Sequence, residues 1–468
     1  MELAIIGAGH VGIVCGASLA AIGHHVKIMD IDQRRVALLR AGQMPFVEPG
    51  LDRLVARGVE RGCLSFHSGP ADALGDAEVI FLCVNTDNLP DGSVDLSPIE
   101  SGVQAISSYA QPEAILVNRS TAPVGTAEYI RSLIAELRGA AMFVAVNPEF
   151  LAEGSAIRDF LAPDRIVVGA WEQQPVSAIA EVYGPIVEHR LPAELQSSLD
   201  GQRSRAPVGF LVADPASAEL AKYAANSALA VKISFINEIA RIAEQLGADV
   251  TKVAEAVGLD SRIGPSFLRA GIGWGGSCFP KDIVTLEGIA QTRGLNARML
   301  RAANDINSEQ RSWVLRRLLE YFGTLAGRRV GLLGLAFKAG IDDLRNAPSL
   351  EIADQLHRAN VRVRAFDPVV RSVPLDLRDK IRLVESLESL ADNADAIVLV
   401  TEWPEFANIE FSRLRRAMRT PLLLDGRNFF DPNIVRSAGF VYLGVGRGTT
   451  GPERLGANIE IPHLALNP

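Results

Sequence analysis

Residues 271–282 read Gly-Ile-Gly-Trp-Gly-Gly-Ser-Cys-Phe-Pro-Lys-Asp, so one cysteine, Cys278, follows a glycine-rich run and precedes Lys281 and Asp282. Glycines let a backbone approach a ligand closely, and Pro280 is expected to keep a helix from running through the site. A lysine beside the thiol favours the thiolate, and a carboxylate four residues on can position an attacking water. Such a thiol is suited to adding to an aldehyde and holding it covalently. The remaining cysteines, Cys15, Cys63 and Cys83, show neither C-x-x-C pairing nor metal-ligand spacing. They are read as reduced, packing thiols, and no metal is expected.

A second motif gives that thiol a partner chemistry. Gly7-Ala-Gly9-His-Val-Gly12 directly follows an apolar strand-like run and opens a helical one. Glycines at this spacing allow a tight turn, close approach of backbone amides to a pyrophosphate, and close packing of helix on strand. Asp30 ends the next expected strand, where a carboxylate can accept hydrogen bonds from a ribose and repel a 2′-phosphate. The pattern therefore favours NAD over NADP, although Arg34 and Arg35 follow closely. A nicotinamide enzyme that stops at an aldehyde or ketone needs no thiol. One that carries a thiol can oxidise a captured aldehyde again and release an acid.

Two further pairs have helical spacing. Glu149 and Glu153, in Asn147-Pro-Glu-Phe-Leu-Ala-Glu-Gly154, would share one face if that segment is helical, and either could act as a base or hold a water. Lys222 and Asn226 are again four apart, and both are donors of the kind found around an oxyanion. Taken alone, the first pair also fits a solvated helix start and the second a snorkelling lysine with an interhelical amide.

The elements that must position these residues are those of an α/β protein. The chain has 468 residues, 48% of them apolar, enough for two or three domains with real cores. A net charge of -8 with no basic block argues against general nucleic-acid binding. No leader-like segment opens the sequence and no apolar run is long enough to span a bilayer, so a cytoplasmic protein is expected. Residues 3–6, 25–29, 79–84, 115–118, 143–147 and 165–169 read as buried strands alternating with helices, which implies a parallel sheet covered on both faces. Residues 215–246 are apolar on nearly every side, and such a helix is expected to be buried between domains or subunits. The βα rhythm resumes at 329–335, 361–366, 396–401 and 422–425. The expected organisation is an NAD-binding Rossmann-like domain at 1–210, a helical, dimerising domain at 211–325, and a second Rossmann-like domain at 326–468. The polar stretch 195–207 reads as a surface loop, and the tail after Gly446 as irregular.

Ordered segments along nearly the whole chain resemble the UDP-glucose/GDP-mannose dehydrogenase family. They are the glycine fingerprint, Ser-Thr-Ala-Pro-Val-Gly-Thr at 120–126, 147–154 with Pro-Asp-Arg-Ile at 163–166, and Ala-Glu-Leu-Ala-Lys-Tyr at 218–223 with Asn226. Lys-Ile-Ser-Phe-Ile-Asn-Glu at 232–238, the Cys278 run, Gly-Leu-Ala-Phe-Lys at 334–338, Asp-Asp-Leu-Arg at 342–345 and Thr-Glu-Trp at 401–403 complete the set.

The resemblance implies roles position by position. Cys278 matches the nucleophile, Lys222 and Asn226 the oxyanion donors, and Asp282 the carboxylate that organises the hydrolytic water. Thr121 and Glu153 match residues that hold a water near the nicotinamide. Val11, Asp30, Arg35, Thr86, Thr121, Glu153, Lys281 and Arg345, with Gly7, Gly9 and Gly12, fall on NAD contacts. Glu149, Phe150, Leu151, Ala152, Glu153, Lys222, Asn226, Phe267, Leu268, Arg269, Ala270, Gly271, Gly275 and Lys338 fall on nucleotide-sugar contacts, and Arg262 on one made across subunits. The implied reaction is a four-electron oxidation of a sugar alcohol to an acid in a homodimer or larger homo-oligomer. UDP-glucose is the expected substrate, with GDP-mannose the closest alternative. Trp274, Arg119 and Val-Asn-Thr-Asp at 84–87 depart from the usual family residues without removing a needed group. The other readings are a sensor that binds without turnover and a two-electron 2-hydroxy-acid dehydrogenase.

Overall fold

The computed structural model describes residues 1–89, 92–199 and 207–448. It is an α/β protein of two compact units, the first formed by Met1–Leu229, Gly275–Ala302 and Lys338–Asn346. The second is formed by Ala230–Trp274, Ala303–Phe337 and the chain from Ala347 on.

The first unit is built on β1 (Glu2–Ile6), β2 (His25–Met29), β3 (Leu64–His67), β4 (Val79–Leu82), β5 (Ile115–Asn118), β6 (Phe143–Val146), β7 (Arg165–Ala170) and β8 (Gly209–Ala213). These form one sheet in the order β3-β2-β1-β4-β5-β6-β7-β8. Every residue of β4 and β5 is buried, as continuous apolar strands covered on both faces must be. Ile5 pairs with Ile28 on one side and Phe81 on the other, so β1 and β4 flank the point where strand order reverses. Ligands of open α/β sheets bind outside the carboxyl ends of strands at such a point.

The expectation of an all-parallel sheet needs correction, because β7 runs antiparallel to β6, with β8 parallel to β7. The link from β6 to β7 holds only a six-residue helix, Ala156–Leu161. At 1.5 Å per residue that helix spans only about 9 Å, and the chain re-enters the sheet from the end it left. Strands β3 and β8 were absent from the sequence reading.

The second unit holds β9 (Arg329–Leu333), β10 (Arg362–Phe366), β11 (Ile381–Leu383), β12 (Ala396–Leu399), β13 (Leu422–Asp425) and β14 (Val441–Gly444). They form a parallel sheet in the order β11-β10-β9-β12-β13-β14. Both sheets are doubly wound, the fold class expected from the alternation.

The long helix runs Pro215–Leu246 as read, but it is not buried all round. Ala218, Tyr223, Ala230, Ile236, Ala240 and Ala243 are buried, whereas Leu220, Phe235, Ile242 and Leu246 are exposed, Leu246 at 75%. One chain covers only one stripe of the helix and leaves the opposite apolar stripe in solvent. The expected loop at 195–207 also needs revision, since a helix occupies Ala193–Leu199 and 200–206 lie outside the described residues. Most of the tail after Gly446, from 449 on, lies outside them as well. Among the described residues no helix is long and apolar enough to cross a membrane.

Candidate active site

The dinucleotide cradle is set by β1, the turn after it and the helix His10–Ala21. Gly7 adopts φ +103°, and a Cβ there would collide with the Cys83 carbonyl. A Cβ on Gly12 would fall against the Gly7 carbonyl oxygen, inside any permitted contact. Nothing lies within 4 Å of the position a Cβ would take on Gly9, so the open face of the turn is the one a pyrophosphate would use. These three environments fit a bound dinucleotide. Asp30 is buried, and its Oδ2 accepts from the Ala8 amide at 2.7 Å and from Arg35 Nη1 at 3.1 Å. The carboxylate therefore braces the turn as well as ending the strand where a ribose is expected. Glu48, which the sequence reading passed over, ties the turn to the 147–155 segment. It meets His10 Nε2 at 2.8 Å and accepts from the amides of Gly154 at 2.7 Å and Ala156 at 2.9 Å. Gly12→Ala is expected to weaken NAD binding by about 100-fold, roughly 2.7 kcal/mol. A fluorescence titration of NAD checks this; unchanged affinity would mean the turn relaxes without loss.

The same unit brings together most of the reactive residues. Lys222 and Asn226 lie one turn apart on the Pro215–Leu246 helix, and both are buried. Cys278 is the residue just before the helix Phe279–Thr292, and Asp282 follows one turn in, its amide donating to the Cys278 carbonyl at 2.8 Å. Pro280 does not break a helix here. It sits in the first turn, where its missing N–H is not needed, and Cys278 holds the N-cap position at the helix start.

The two helices are joined by Asn226 Nδ2 donating to Asp282 Oδ2 at 2.6 Å. Asp282 Oδ1 stands 3.0 Å from Lys281 Nζ without a hydrogen bond of good geometry. Lys222 Nζ meets Glu149 Oε1 at 2.7 Å, with side chains only 4% and 6% exposed. Burial pushes the Glu149 carboxyl up, but Lys222 and the Leu151 amide more than offset it, and the net shift is downward. Lys222 is held charged in turn, its burial outweighed first by Glu149 and then by Cys278 and Asp282.

Burial pushes the Cys278 thiol up, and the group opposing it is Lys222 rather than Lys281. Lys281, three residues on in sequence, lies 3.0 Å from Asp282, and the cation that opposes the burial of the sulfur comes from far upstream, on another helix. The expected helical pair Glu149 and Glu153 also needs correction. Residues 147–154 form no helix, and the two carboxylates serve different partners. Glu149 takes Lys222. Glu153 Oε1 accepts from Ser277 Oγ at 3.2 Å and lies 3.4 Å from Arg345 Nη2, and its carbonyl accepts from Lys338 Nζ at 3.0 Å. Burial and Asp343 push the Glu153 carboxyl up against the pull of His10 and Arg345. Ser277, 3.6 Å from the Cys278 sulfur, links thiol to Glu153 and was missed although it is the adjacent residue. The Gly276 amide donates to the Arg345 carbonyl at 3.0 Å, which pins the chain between Gly275 and Ser277. Thr121 enters through its backbone, its carbonyl accepting from Thr86 Oγ1 at 2.6 Å.

Val11, Phe150 and Ala152 also lie in the first unit, whereas Arg262 and residues 267–271 belong to the second. Arg262 is exposed there and paired with Asp260 at 2.6 Å. Phe267 takes φ +64°, Leu268 and Ala270 are buried, Arg269 is exposed, and the Gly271 amide donates to Asn237 Oδ1 at 2.8 Å. The second sheet repeats the first one's turn, with Gly334 at φ +89° and Asp367 after β10. Asp367 Oδ2 accepts from the Leu335 and Ala336 amides at 2.7 and 3.2 Å and from Trp403 Nε1 at 3.1 Å. That carboxylate is held by two backbone amides and an indole, where Asp30 is held by the Ala8 and Asp32 amides and by Arg35.

A fitted dinucleotide turn at a strand-order reversal, with a thiol, a buried lysine and two carboxylates on the same unit, defines an NAD-dependent dehydrogenase. Family models narrow that class: those of the UDP-glucose/GDP-mannose dehydrogenase family match with the NAD binding domain at 1–187, the central domain at 216–309 and the UDP binding domain at 331–432. The chain belongs to this family and is an NAD-dependent nucleotide-sugar dehydrogenase. It is 41% identical to a UDP-glucose 6-dehydrogenase of Pseudomonas aeruginosa, over 96% of this chain and 98% of that one. It is 37% identical to a UDP-glucose 6-dehydrogenase of Bacillus subtilis, over 97% and 99%. A solved UDP-glucose dehydrogenase from Pyrobaculum islandicum superposes with a TM-score of 0.83 at 35% identity, covering 95% of this chain and 97% of that one.

Proposed function

We propose that the protein oxidises the primary alcohol of UDP-glucose to a carboxylate, with Cys278 holding the half-oxidised sugar. The observation that carries this reading is that the helix bearing Lys222 and Asn226 is joined to the helix that starts after Cys278 and bears Asp282 by one 2.6 Å hydrogen bond, with Lys222 near enough to oppose the burial of the thiol. Bound NAD would supply a carbon that takes up a hydride, once in each of two oxidations. Gly7, Gly9, Val11, Gly12, Asp30, Arg35 and Thr86, with Lys281 and Arg345, are the residues assigned to hold it.

The first oxidation turns the alcohol into an aldehyde as its proton leaves to the water assigned to Thr121 and Glu153. The Cys278 sulfur then bonds to the aldehyde carbon, the carbonyl electron pair moves to oxygen as an oxyanion, and the thiol proton passes to the water assigned to Thr121 and Glu153. Lys222 and Asn226 donate toward that oxygen, where fixed donors matter most. Loss of a hydride from the thiohemiacetal leaves a thioester. Asp282 takes a proton from water as it attacks, the carbon–sulfur bond breaks, and the thiol and acid are released. Burial that keeps Cys278 protonated at rest suits this sequence, since the proton is given up only when the carbon is in place.

The names of the relatives favour UDP-glucose over GDP-mannose, and the UDP binding model at 331–432 favours a uridine diphosphate. Residues 149–153, 267–271, Gly275 and Lys338 are assigned to the nucleotide sugar. The exposed apolar stripe through Leu220, Phe235, Ile242 and Leu246 supports a homo-oligomer, in which Arg262 would serve a neighbouring subunit. The division into 1–210, 211–325 and 326–468 stands as the proposed domain organisation. A panel of UDP- and GDP-sugars assayed for NADH per sugar consumed tests the function. UDP-glucose is expected to turn over with a yield of two; a yield of one, or preference for a GDP-sugar, would defeat the reading.

A further inference from the structure

Glu219 lies on the Pro215–Leu246 helix one turn before Lys222 and Tyr223, with 4% of its surface exposed. Its Oε2 accepts from the Gly125 amide at 2.6 Å and its Oε1 from the Ala127 amide at 2.7 Å. These amides open the helix Thr126–Arg138, whose N-cap residue, Gly125, has no side chain to serve them. Helix N-termini are ordinarily capped by a local Ser, Thr, Asp or Asn. Here the cap comes from more than 90 residues away, across the fold of the first unit.

The cap is energetically awkward. Burial raises the Glu219 carboxyl to about 7 even though both amides pull it down. No cation among the described residues offsets that cost. Tyr223, on its own helix, registers its charge, and Glu219 is held at the start of the helix Thr126–Arg138 by the two amides. An uncompensated buried carboxylate needs a reason beyond ending a surface helix that a serine could cap.

The chain between β5 and that helix supplies one. It carries Thr121, whose carbonyl is fixed by Thr86, and Ser120, whose hydroxyl accepts from the Val84 amide at 2.9 Å. The near end of this loop is thus tied to the strand β4 side, and Glu219 ties its far end to the helix bearing Lys222 and Asn226. We propose that Glu219 is a positioning residue, a strut that fixes the spacing between the Thr121 loop and the helix face carrying Lys222 and Asn226. The inference rests on the roles given to those three residues above.

Two acceptors are required, so glutamine should fail: its amide group would point N–H at N–H at one of the two positions. Aspartate keeps the charge but is shorter by one carbon–carbon bond, about 1.5 Å. Steady-state kinetics on the full chain with UDP-glucose and NAD, for Glu219→Gln, Thr121→Ala and the double variant, test the strut, with melting temperatures measured alongside. Glu219→Gln is expected to lower kcat about 10–30-fold, in line with misplacements of an ångström or less, while KM for both substrates stays within about twofold. In the Thr121→Ala background the same change should cost less than about threefold.

If Glu219→Gln does not fold, Glu219→Asp serves in its place, with about a fivefold loss and the same cancellation. A lowered melting temperature with kcat unchanged well below it, or losses that simply multiply in the double variant, would overturn the strut and leave a plain helix cap. If Thr121→Ala and Lys222→Ala themselves turn over normally, the assignment of the site fails and the strut with it. If both are impaired and Glu219→Gln is not, only the strut fails.

Discussion

Cys278→Ser is expected to abolish acid formation, lowering turnover of UDP-glucose to UDP-glucuronate by about 10⁴-fold, about 5 kcal/mol of transition-state stabilisation. The hydroxyl of serine keeps the shape of the site but is a far weaker nucleophile at neutral pH. Lys222 opposes the burial that holds the thiol protonated, which it can do usefully for a thiol but not for an alcohol with a much higher pKa. NADH from the first oxidation should still appear as a small burst, because the NAD cradle and Lys222 are untouched. Cys63→Ala, a change on the half-exposed cysteine at 63, should leave turnover intact. Coupled measurement of NADH and acid product separates the two outcomes, and normal acid formation by Cys278→Ser would refute the covalent step.

The second large effect is expected at Lys222. Lys222→Ala removes a donor toward the oxyanion, which should lower kcat by about 10²–10³-fold. It also strands Glu149, buried and 2.7 Å from the lost ammonium, and breaking a buried pair of this kind destabilises by about 3–5 kcal/mol. The double variant Lys222→Ala with Glu149→Gln is therefore expected to regain much of the melting temperature and none of the activity. The pH dependence has a definite sign. The Glu149 carboxyl is depressed in the folded protein, so its contribution to stability is present above the ordinary glutamate range and is lost as pH falls through its lowered value. Lys222→Ala should lose that acid-side dependence. Recovery of activity together with stability in the double variant would mean that Lys222 is a structural partner of Glu149 and nothing more.

Much of this site was legible in the chain because helical and strand periodicities are local. The i, i+4 spacing of Lys222 with Asn226 puts that pair on one helix face, and the helix is present. Cys278 and Asp282 read as neighbours in a helix-free loop, whereas a helix starts at Phe279. Strand β4 is apolar throughout, and β5 and β13 are apolar up to a final Asn118 and Asp425; all are buried on both faces, a strong strand signal in a sequence. The strands that escaped, β3, β8, β11 and β14, are outer strands of three to five residues with alternating or exposed side chains.

What could not be read is what depends on tertiary closure. Nothing in sequence spacing joins Glu149 to Lys222, Glu48 to His10, or Glu219 to Gly125. The neighbour that seemed obvious for Cys278, Lys281, turned out to be engaged with Asp282. Pro280 misled for a different reason: proline ends a helix in its interior but is at home in its first turn, and only the helix boundary distinguishes the two. The polarity of β7 was hidden in the same way, since a strand's direction depends on how its connection crosses the sheet and not on its composition.

The covalent capture of the half-oxidised sugar is tested most directly by acid-quenching the full-length protein during turnover with UDP-glucose and NAD and mapping the mass of its cysteine peptides. The peptide containing Cys278 is expected to carry the nucleotide sugar, less the hydrogens removed in the oxidations, and the peptides of Cys15, Cys63 and Cys83 are not. An unmodified Cys278 throughout turnover, with free aldehyde accumulating in solution, would contradict covalent capture.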